Sequence, residues 1–320
     1  MSALPRLTVA LPTCNGARHL REALAGLREQ SGVDFDLIVS DDRSDDDTPA
    51  IVREVFGDRA RVSVNPERLG LAGNWNRCVE LSRTEWVAIF HQDDVMRPGH
   101  LAAHLAAFEA DPSTGLVASA SGVVDAEARE VPASVVDPGG CGPADRVFAP
   151  GEFVAELAVG NPLRCSAVTI NAAAHAEVGG FDPSYRYVVD WDFWLRVARL
   201  RPVAWLARPT VAVRWHPASE THRFATGTAD LEETARLLDE MGRIDGPDRR
   251  LRAPADRRLA RAYLNRAYLA SKAGNLALAR RCLARSARLS PSLLLGRVAS
   301  DPKLAARLAA AMVGLGRSGE

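Results

Sequence analysis

Apolar β-rich runs and amphipathic helical runs alternate through residues 6–90, and this alternation limits the fold more than any other feature of the chain. "RLTVAL" (6–11), "FDLIVS" (35–40), "RVSV" (61–64) and "EWVAIF" (85–90) read as strands. Between them, "HLREALAGLREQ" (19–30) places Leu20, Leu24 and Leu27 on one helical face. "TPAIVREVF" (48–56) has Thr48 as a candidate N-cap before Pro49, and "AGNWNRCVELS" (72–82) reads as a third helix. Parallel neighbours need a long crossover, and a helix supplies it. The expected fold class is α/β, with a mainly parallel sheet flanked by helices.

In such sheets ligands bind beyond the carboxyl ends of the strands. Asp41 and Asp42 follow the second strand, and Asp93 and Asp94 follow the fourth in "FHQDD". Both acidic pairs therefore belong on one rim. Converging carboxylates raise each other's pKa unless a cation joins them, so a divalent ion is expected.

Further on, "HLAAHLAAFEA" (100–110) reads as a helix and "GLVASA" (115–120) as a strand. Residues 129–150 hold a cluster of Pro and Gly and read as a long surface loop, a candidate lid. "SAVTIN" (166–171) is a strand, and the helix after it ends at Gly179-Gly180. "DWDFWLRVARL" (190–200) is an amphipathic helix with Trp194 and Leu195 as core, and "TVAVRW" (210–215) is a strand that leads to His216. A charged Gly/Pro stretch, "GRIDGPDRRLRAPADRR" (242–258), reads as a linker. After it comes a helical pair resembling one tetratricopeptide unit, with Gly274-Asn275 as the turn and Pro291 as the stop. The expected domains are 1–225 and a basic helical region, 226–320.

The chain has 320 residues and a formal net charge of +0, so no whole-chain field draws it to nucleic acid. The average hides a split. Residues 257–320 carry thirteen basic and two acidic side chains, a net +11, which leaves −11 on the first 256 residues. Either the basic helices lie against the acidic domain, or they face an anionic membrane, with "LLLGRV" and "LAARLAAAMVGL" adding apolar contact. The five cysteines are scattered, with no C-x-x-C pair, so a disulfide framework is not expected. No apolar run reaches a membrane span, and the N-terminal one is short for a signal peptide. The expected location is cytoplasmic, or peripheral at the inner face of the membrane.

The ordered set of segments resembles the inverting glycosyltransferases of family two, which have the GT-A fold, a mixed and mainly parallel sheet. "LPTCNGARHLREAL" is similar to the family's opening strand, turn and helix, and "IVSDDRSDDDT" to its uracil-contacting acidic segment. "FHQDD" stands where the family carries a D-x-D variant, with His91 in place of the first acid. "GGFDPSYRYVVDWDFWLRVA" resembles the acceptor loop and the helix bearing the base, and "VRWHPASET" the closing segment. The matches are collinear over 6–222, which makes the set more specific than any member.

The resemblance implies a transfer of sugar from a UDP- or dTDP-type donor to an acceptor hydroxyl. The acceptor is a glycan, a lipid-linked glycan or a small molecule. It implies Mg2+ or Mn2+ held by Asp94 and His216, with Asp93 either on the ribose or supporting a metal ligand. Pro12, Thr13, Asn15, Asp41, Asp42, Arg68 and Asn74 become candidate nucleotide contacts, and Asp190 the base. Each has a plainer reading beside it. Asp41-Asp42 would cap a turn, Asp93-Asp94 the following helix, Arg68 and Asn74 a helix start, and His216 would be structural. Asp190 and Asp192 bracket Trp191, so one of them faces away. His100 and His104, spaced i,i+4, read as a solvated helix face rather than a zinc pair, since no Glu stands between them as in H-E-x-x-H. A sugar nucleotidyltransferase would want a glycine-rich phosphate loop after the first strand, and a dehydrogenase G-x-G-x-x-G; neither is present. The alternatives are a sugar nucleotidyltransferase, which the missing loop disfavours, and a non-catalytic scaffold acting through the C-terminal helices.

Overall fold

The computed structural model describes residues 6–132, 136–137, 139–216, 219, 223–224, 226–246 and 249–300. It divides into two compact units, 1–157 with 161–219 and 158–160 with 220–320. The boundary expected at 225, residues 217–218 and 220–222 of the closing segment, and the apolar stretch 304–315 lie outside the described residues.

The first unit opens with β1 (Leu7–Thr13), α1 (Ala17–Arg28), β2 (Phe35–Asp41), α2 (Thr48–Phe56), β3 (Ala60–Val64), α3 (Gly70–Leu81) and β4 (Trp86–Ile89). These strands lie in the order β3-β2-β1-β4 and are parallel. Leu20, Leu24 and Leu27 of α1 are fully buried against Leu7, Val9 and Leu11 of β1. Burial of each such side chain contributes about 1.5–3 kcal/mol. Then follow β5 (Val95–Met96), α4 (His100–Ala110), β6 (Leu116–Val124), β7 (Arg146–Phe148), α5 (Val154–Val159), β8 (Val168–Asn171), α6 (Ala172–Glu177), α7 (Val189–Leu200) and β9 (Val203–Arg214). The sheet continues β4-β8-β6-β9-β5, with β7 on β9, and β8 enters antiparallel. The expected mixed sheet flanked by helices is present, and the carboxyl ends of β1, β2 and β4 share one edge.

Four expectations are corrected. Thr48 is the first residue of α2, with Asp47 at the N-cap position. Its hydroxyl is used instead by the neighbouring loops, accepting from the Gly16 N–H at 2.8 Å and donating to Asp46. The stretch 129–150 is not all loop, because 146–148 is β7. Ahead of it, Gly140 N–H donates to the Pro162 carbonyl at 2.8 Å, and the Trp205 indole to that of Gly142 at 3.0 Å. The "linker" is helical: α8 (Ala229–Ile244) runs into it and α9 (Arg249–Lys272) begins within it. Its arginines and alanines favour helix, and Pro254 lies only six residues in, costing one backbone bond. Arg252 then ties the helices, reaching Asp256, Asp239 and the Leu238 carbonyl.

The fourth correction concerns His100 and His104, which are fully buried, not solvated. Thr210 and Thr169 lie beneath α4 and hydrogen-bond their Nδ1 atoms at 2.7 and 2.9 Å. The rings are 4.0 Å apart, and neither Nε2 has a partner. Burial pushes the His100 pKa down to about 3; burial, with the His100 charge, holds that of His104 well below its ordinary value.

In the second unit α9 and α10 (Leu276–Leu289) form a helical hairpin, turned at Gly274 (φ +78°) and capped by Asn275, whose side chain accepts from Leu278 N–H. Pro291 ends α10 and begins α11 (Pro291–Ser300).

Acid sensitivity follows from the buried histidines. Unfolded imidazoles take a proton near pH 6.5, whereas His100 resists it to about pH 3 and burial with the His100 charge holds His104 well below the ordinary value. The unfolded chain therefore binds more protons in that window. Their contribution is complete above about pH 6.5 and is lost as pH falls toward the folded values. A melting series from pH 7 to pH 4 should show a steeper fall for the native chain than for His100→Asn/His104→Asn; equal slopes would place the acid loss elsewhere.

Candidate active site

The rim is built from the loops after β1, β2 and β4. Pro12 and Thr13 end β1 in register with Ser40 and Asp41. Asp41 is buried and accepts from Thr13 Oγ at 2.8 Å, Ser44 Oγ at 2.7 Å and Ser44 N–H at 2.8 Å. Asp42 takes the N–H groups of Leu69 and Gly70 at 2.7 and 2.9 Å, so it caps α3, and it also accepts from Asn65. Asn74 donates to the Ser40 carbonyl and accepts from Asn65. Asn15 sits at φ +51° and accepts from Asp45 N–H at 2.7 Å. Arg68 is exposed and pairs with Asp45. The structure thus gives Asp41, Asp42 and Asn74 the loop-holding bonds of the plainer reading, in a wall that frames the rim.

Gln92 closes that wall. Its side chain accepts from Cys14 N–H at 2.9 Å and donates to the Cys14 carbonyl at 3.1 Å. A Cβ at residue 16 would fall 2.1 Å from its Oε1, so a larger residue at Gly16 would have to displace the Gln92 side chain.

Beyond β4, donor atoms of His91, Asp93 and Asp94 lie within 4.8 Å of one another. The His91 ring stacks on Trp75 with centroids 5.4 Å apart, and its Nε2 is covered and without a partner. Asp94 is buried, accepting from Ser166 Oγ and from Arg214 N–H at 2.8 Å. Burial, then the Asp93 charge, pushes its pKa up to about 7. Asp93 accepts from His216 Nε2 at 3.0 Å. Burial raises the Asp93 pKa, but that bond and the His91 charge outweigh it, leaving the value below the ordinary one. His216 thus engages Asp93 and is not itself in the converging group. Asp41 and Asp42 do not join it either, so one acidic pair, not two, forms the cluster.

The residues fit a divalent cation on their own chemistry. Donor atoms of two carboxylates and an imidazole converge, with Asp94 3.9 Å from His91 Nδ1, and burial together with the Asp93 charge raises the Asp94 carboxyl, a repulsion that a cation relieves. Carboxylate oxygens suit Mg2+ and Mn2+.

Asp190 lies in the first turn of α7. One oxygen accepts from Asn161 at 3.1 Å and the other from Trp191 N–H at 2.7 Å. Burial raises its pKa, and Asp190 and His91 are close enough for each charge to act on the other. Asp192 turns away into a pair with Arg196 at 2.7 Å. Trp194 and Leu195 are core.

A family model described as Glycosyl transferase family 2 matches residues 8–150. Uncharacterized protein MT1568 of Mycobacterium tuberculosis (strain CDC 1551 / Oshkosh) is 30% identical over 257 residues, 74% of this chain and 75% of its own length. The chain belongs to glycosyl transferase family 2. Two solved structures share the fold at lower identity. S. aureus TarS 1-349 in complex with UDP-GlcNAc has a TM-score of 0.59 at 17% identity, over 81% of this chain and 72% of that one. The mannosyltransferase PcManGT from Pyrobaculum calidifontis, in complex with GDP-Man and Mn2+, has a TM-score of 0.56 at 21% identity, over 98% and 87%. As a family 2 glycosyltransferase, the protein is an enzyme that transfers a sugar from a nucleotide-sugar donor.

The rim of this glycosyltransferase depends on residues that the sequence does not single out. Asn161 orients Asp190, and Ser166 spans the His91 N–H and Asp94. Arg214, at the end of β9, has a fully buried side chain. It donates to the carbonyls of Asp93, Asp125 and Ala126 and to Glu22 at 2.6 Å. A charged residue ending an apolar strand was the available signal. Arg214→Met leaves three carbonyls without their donor, and should cost about 3 kcal/mol at about 1 kcal/mol each, read from denaturant unfolding. Glu22→Gln, at the exposed end of the same network, should cost less.

Proposed function

We propose that the enzyme is an inverting, Mg2+- or Mn2+-dependent glycosyltransferase that uses a UDP- or dTDP-type sugar and an acceptor hydroxyl. The observation that carries this reading is the Asp190 carboxyl. It is held by Asn161, raised in pKa by burial, and within electrostatic reach of the His91-Asp93-Asp94 cluster.

Asp94, with Asp93 and His91, would hold the cation, and His216 orients Asp93 from behind. A cation there supplies positive charge against the diphosphate as it leaves. Thr13, Asn15, Asp41, Asp42 and Asn74 form or hold the wall against which the nucleoside lies, with Pro12 at its base and Arg68 at its mouth. Asp190 takes the proton from the acceptor hydroxyl as the oxygen attacks the anomeric carbon. Attack on the face opposite the departing diphosphate is a single displacement, and it inverts the centre. A raised pKa makes Asp190 a better proton acceptor than an ordinary carboxylate. It also means that activity is lost on the acid side at a higher pH than an unperturbed Asp would give. For the acceptor we favour a lipid-linked glycan of cell-surface biosynthesis, on the basic charge of the helical unit.

Three measurements test the reading. UDP or dTDP should raise the melting temperature more in the presence of Mn2+ than without it, since binding to the native state stabilises it. Asp94→Ala should abolish that Mn2+ dependence in calorimetry; a cation effect persisting in the variant would remove Asp94 from the site. Asp190→Asn should keep donor affinity and lose kcat by on the order of 10²-fold. If Asp192→Asn shows that loss instead, the base has been placed one position too early.

A further inference from the structure

The segment 161–166 runs past both halves of the site. At one end Asn161 Nδ2 donates to Asp190 at 3.1 Å. At the other, Ser166 Oγ donates to Asp94 and accepts from the His91 N–H at 3.1 Å. Arg164 stands between these two contacts and is half-buried. Local bonds hold the segment on this course. Leu163 N–H donates to Asn161 Oδ1 at 3.1 Å, and Ala167 N–H to the Arg164 carbonyl at 2.8 Å.

Part of the Pro/Gly stretch before β7 packs against Arg164. Gly140 N–H donates to the Pro162 carbonyl at 2.8 Å. Gly139, at φ +75°, comes so near that a Cβ there would fall 2.4 Å from the same oxygen and 3.5 Å from Arg164 Cζ. Asp137 turns this stretch, its carboxylate accepting from the Gly139 N–H at 2.8 Å, and its carbonyl accepts from Arg164 Nη2 at 2.6 Å. Among the described residues that carbonyl is the one hydrogen-bond partner of the Arg164 guanidinium, and no carboxylate pairs with it. Asp190 is near enough for the Arg164 charge to act on it, yet both of its oxygens are bonded elsewhere, to Asn161 and to the Trp191 N–H at 2.7 Å.

A guanidinium presents its N–H donors in a rigid planar fork that matches two oxygens of one anion. In the same unit Arg196 and Arg214 each reach a carboxylate, Asp192 at 2.7 Å and Glu22 at 2.6 Å. Arg164 is held by one backbone carbonyl, with its charge unpaired and partly withdrawn from water. Such a group costs free energy that an oxyanion bound to the rest of the fork would recover.

We propose that Arg164 is the anion-binding residue of the acceptor subsite, and that the acceptor carries an oxyanion, a phosphate or a carboxylate, close to the hydroxyl that attacks. This rests on Asp190 being the base, because the base marks the side of the site where the acceptor lies. The guanidinium then sets a positive charge between the acceptor's anion and the Asp190 carboxylate, which would otherwise repel each other.

The test adds inorganic phosphate, and separately acetate, to the full chain saturated with UDP and Mg2+, with sodium chloride of equal ionic strength as the control. UDP fills the diphosphate place, so an anion that binds then occupies another site. Phosphate, acetate or both should raise the melting temperature beyond the chloride control, and the stronger of the two gives the class of the acceptor's anion. Arg164→Gln should lower the apparent affinity for that anion at least about tenfold and leave UDP affinity unchanged in calorimetry. Arg164→Lys, which keeps the charge without the fork, should fall between the two. No anion effect beyond chloride overturns the proposal, as does an effect that both variants keep. An equal loss of UDP affinity in Arg164→Gln also overturns it, by assigning the arginine to the donor diphosphate. The anion is read by binding alone, so this result and the kcat comparison of Asp190→Asn with Asp192→Asn can fail separately.

Discussion

Burying the guanidinium of Arg214 is the constraint on which the site depends. A charge removed from water must find acceptors or be expelled. Here the acceptors come from three directions: the Asp93 carbonyl after β4, the Asp125 and Ala126 carbonyls after β6, and Glu22 on α1. The Arg214 N–H also donates to Asp94. One side chain thereby joins the end of β9 to the turn that carries both acids, next to the pairing of β5 with β9. Its charge lies close to two carboxylates and to His19, whose pKa burial and Arg214 lower together.

Around that point the rim is organised by polar groups that bind other protein groups. Asp41 and Asp42 hold their own loops and the start of α3, Gln92 locks the turn after β1, and Asn161 holds Asp190. Such a wall is held in shape by hydrogen bonds between its own loops. The helical unit is built differently. The buried inner faces of α9 and α10 are largely small and apolar, and many of the basic side chains are exposed.

Much of this was legible in the chain. The alternation over 6–90 gave the parallel strands in their right places, since apolar periodicity and crossover length are local properties. The acidic pairs after β2 and β4, Asp190 in the first turn of α7 and the helical hairpin of the second unit were readable for the same reason. What was misread shows where local rules fail. His100 and His104 look like polar residues on a surface helix, and only Thr169 and Thr210 on distant strands make their burial tolerable. The stretch 242–258 carries loop-like Gly, Pro and charge, yet Arg252 finds Asp239 and Asp256 and the segment becomes helix. Thr48 has the residue type of a cap, but its hydroxyl is claimed by Gly16 and Asp46.

The sequence by itself determined the fold class, the edge of the sheet where both acidic pairs lie, the family, and the charge split between the halves. These follow from residue type and spacing along the chain. Only the tertiary structure decided that Asp190 and not Asp192 approaches the His91-Asp93-Asp94 group, that His216 serves Asp93, and that the second acidic pair holds loops. It alone showed that nine of the ten basic side chains of residues 257–300 are exposed. Each of these depends on which groups meet across tens of residues, and a contact between distant segments is a property of packing that no local spacing encodes.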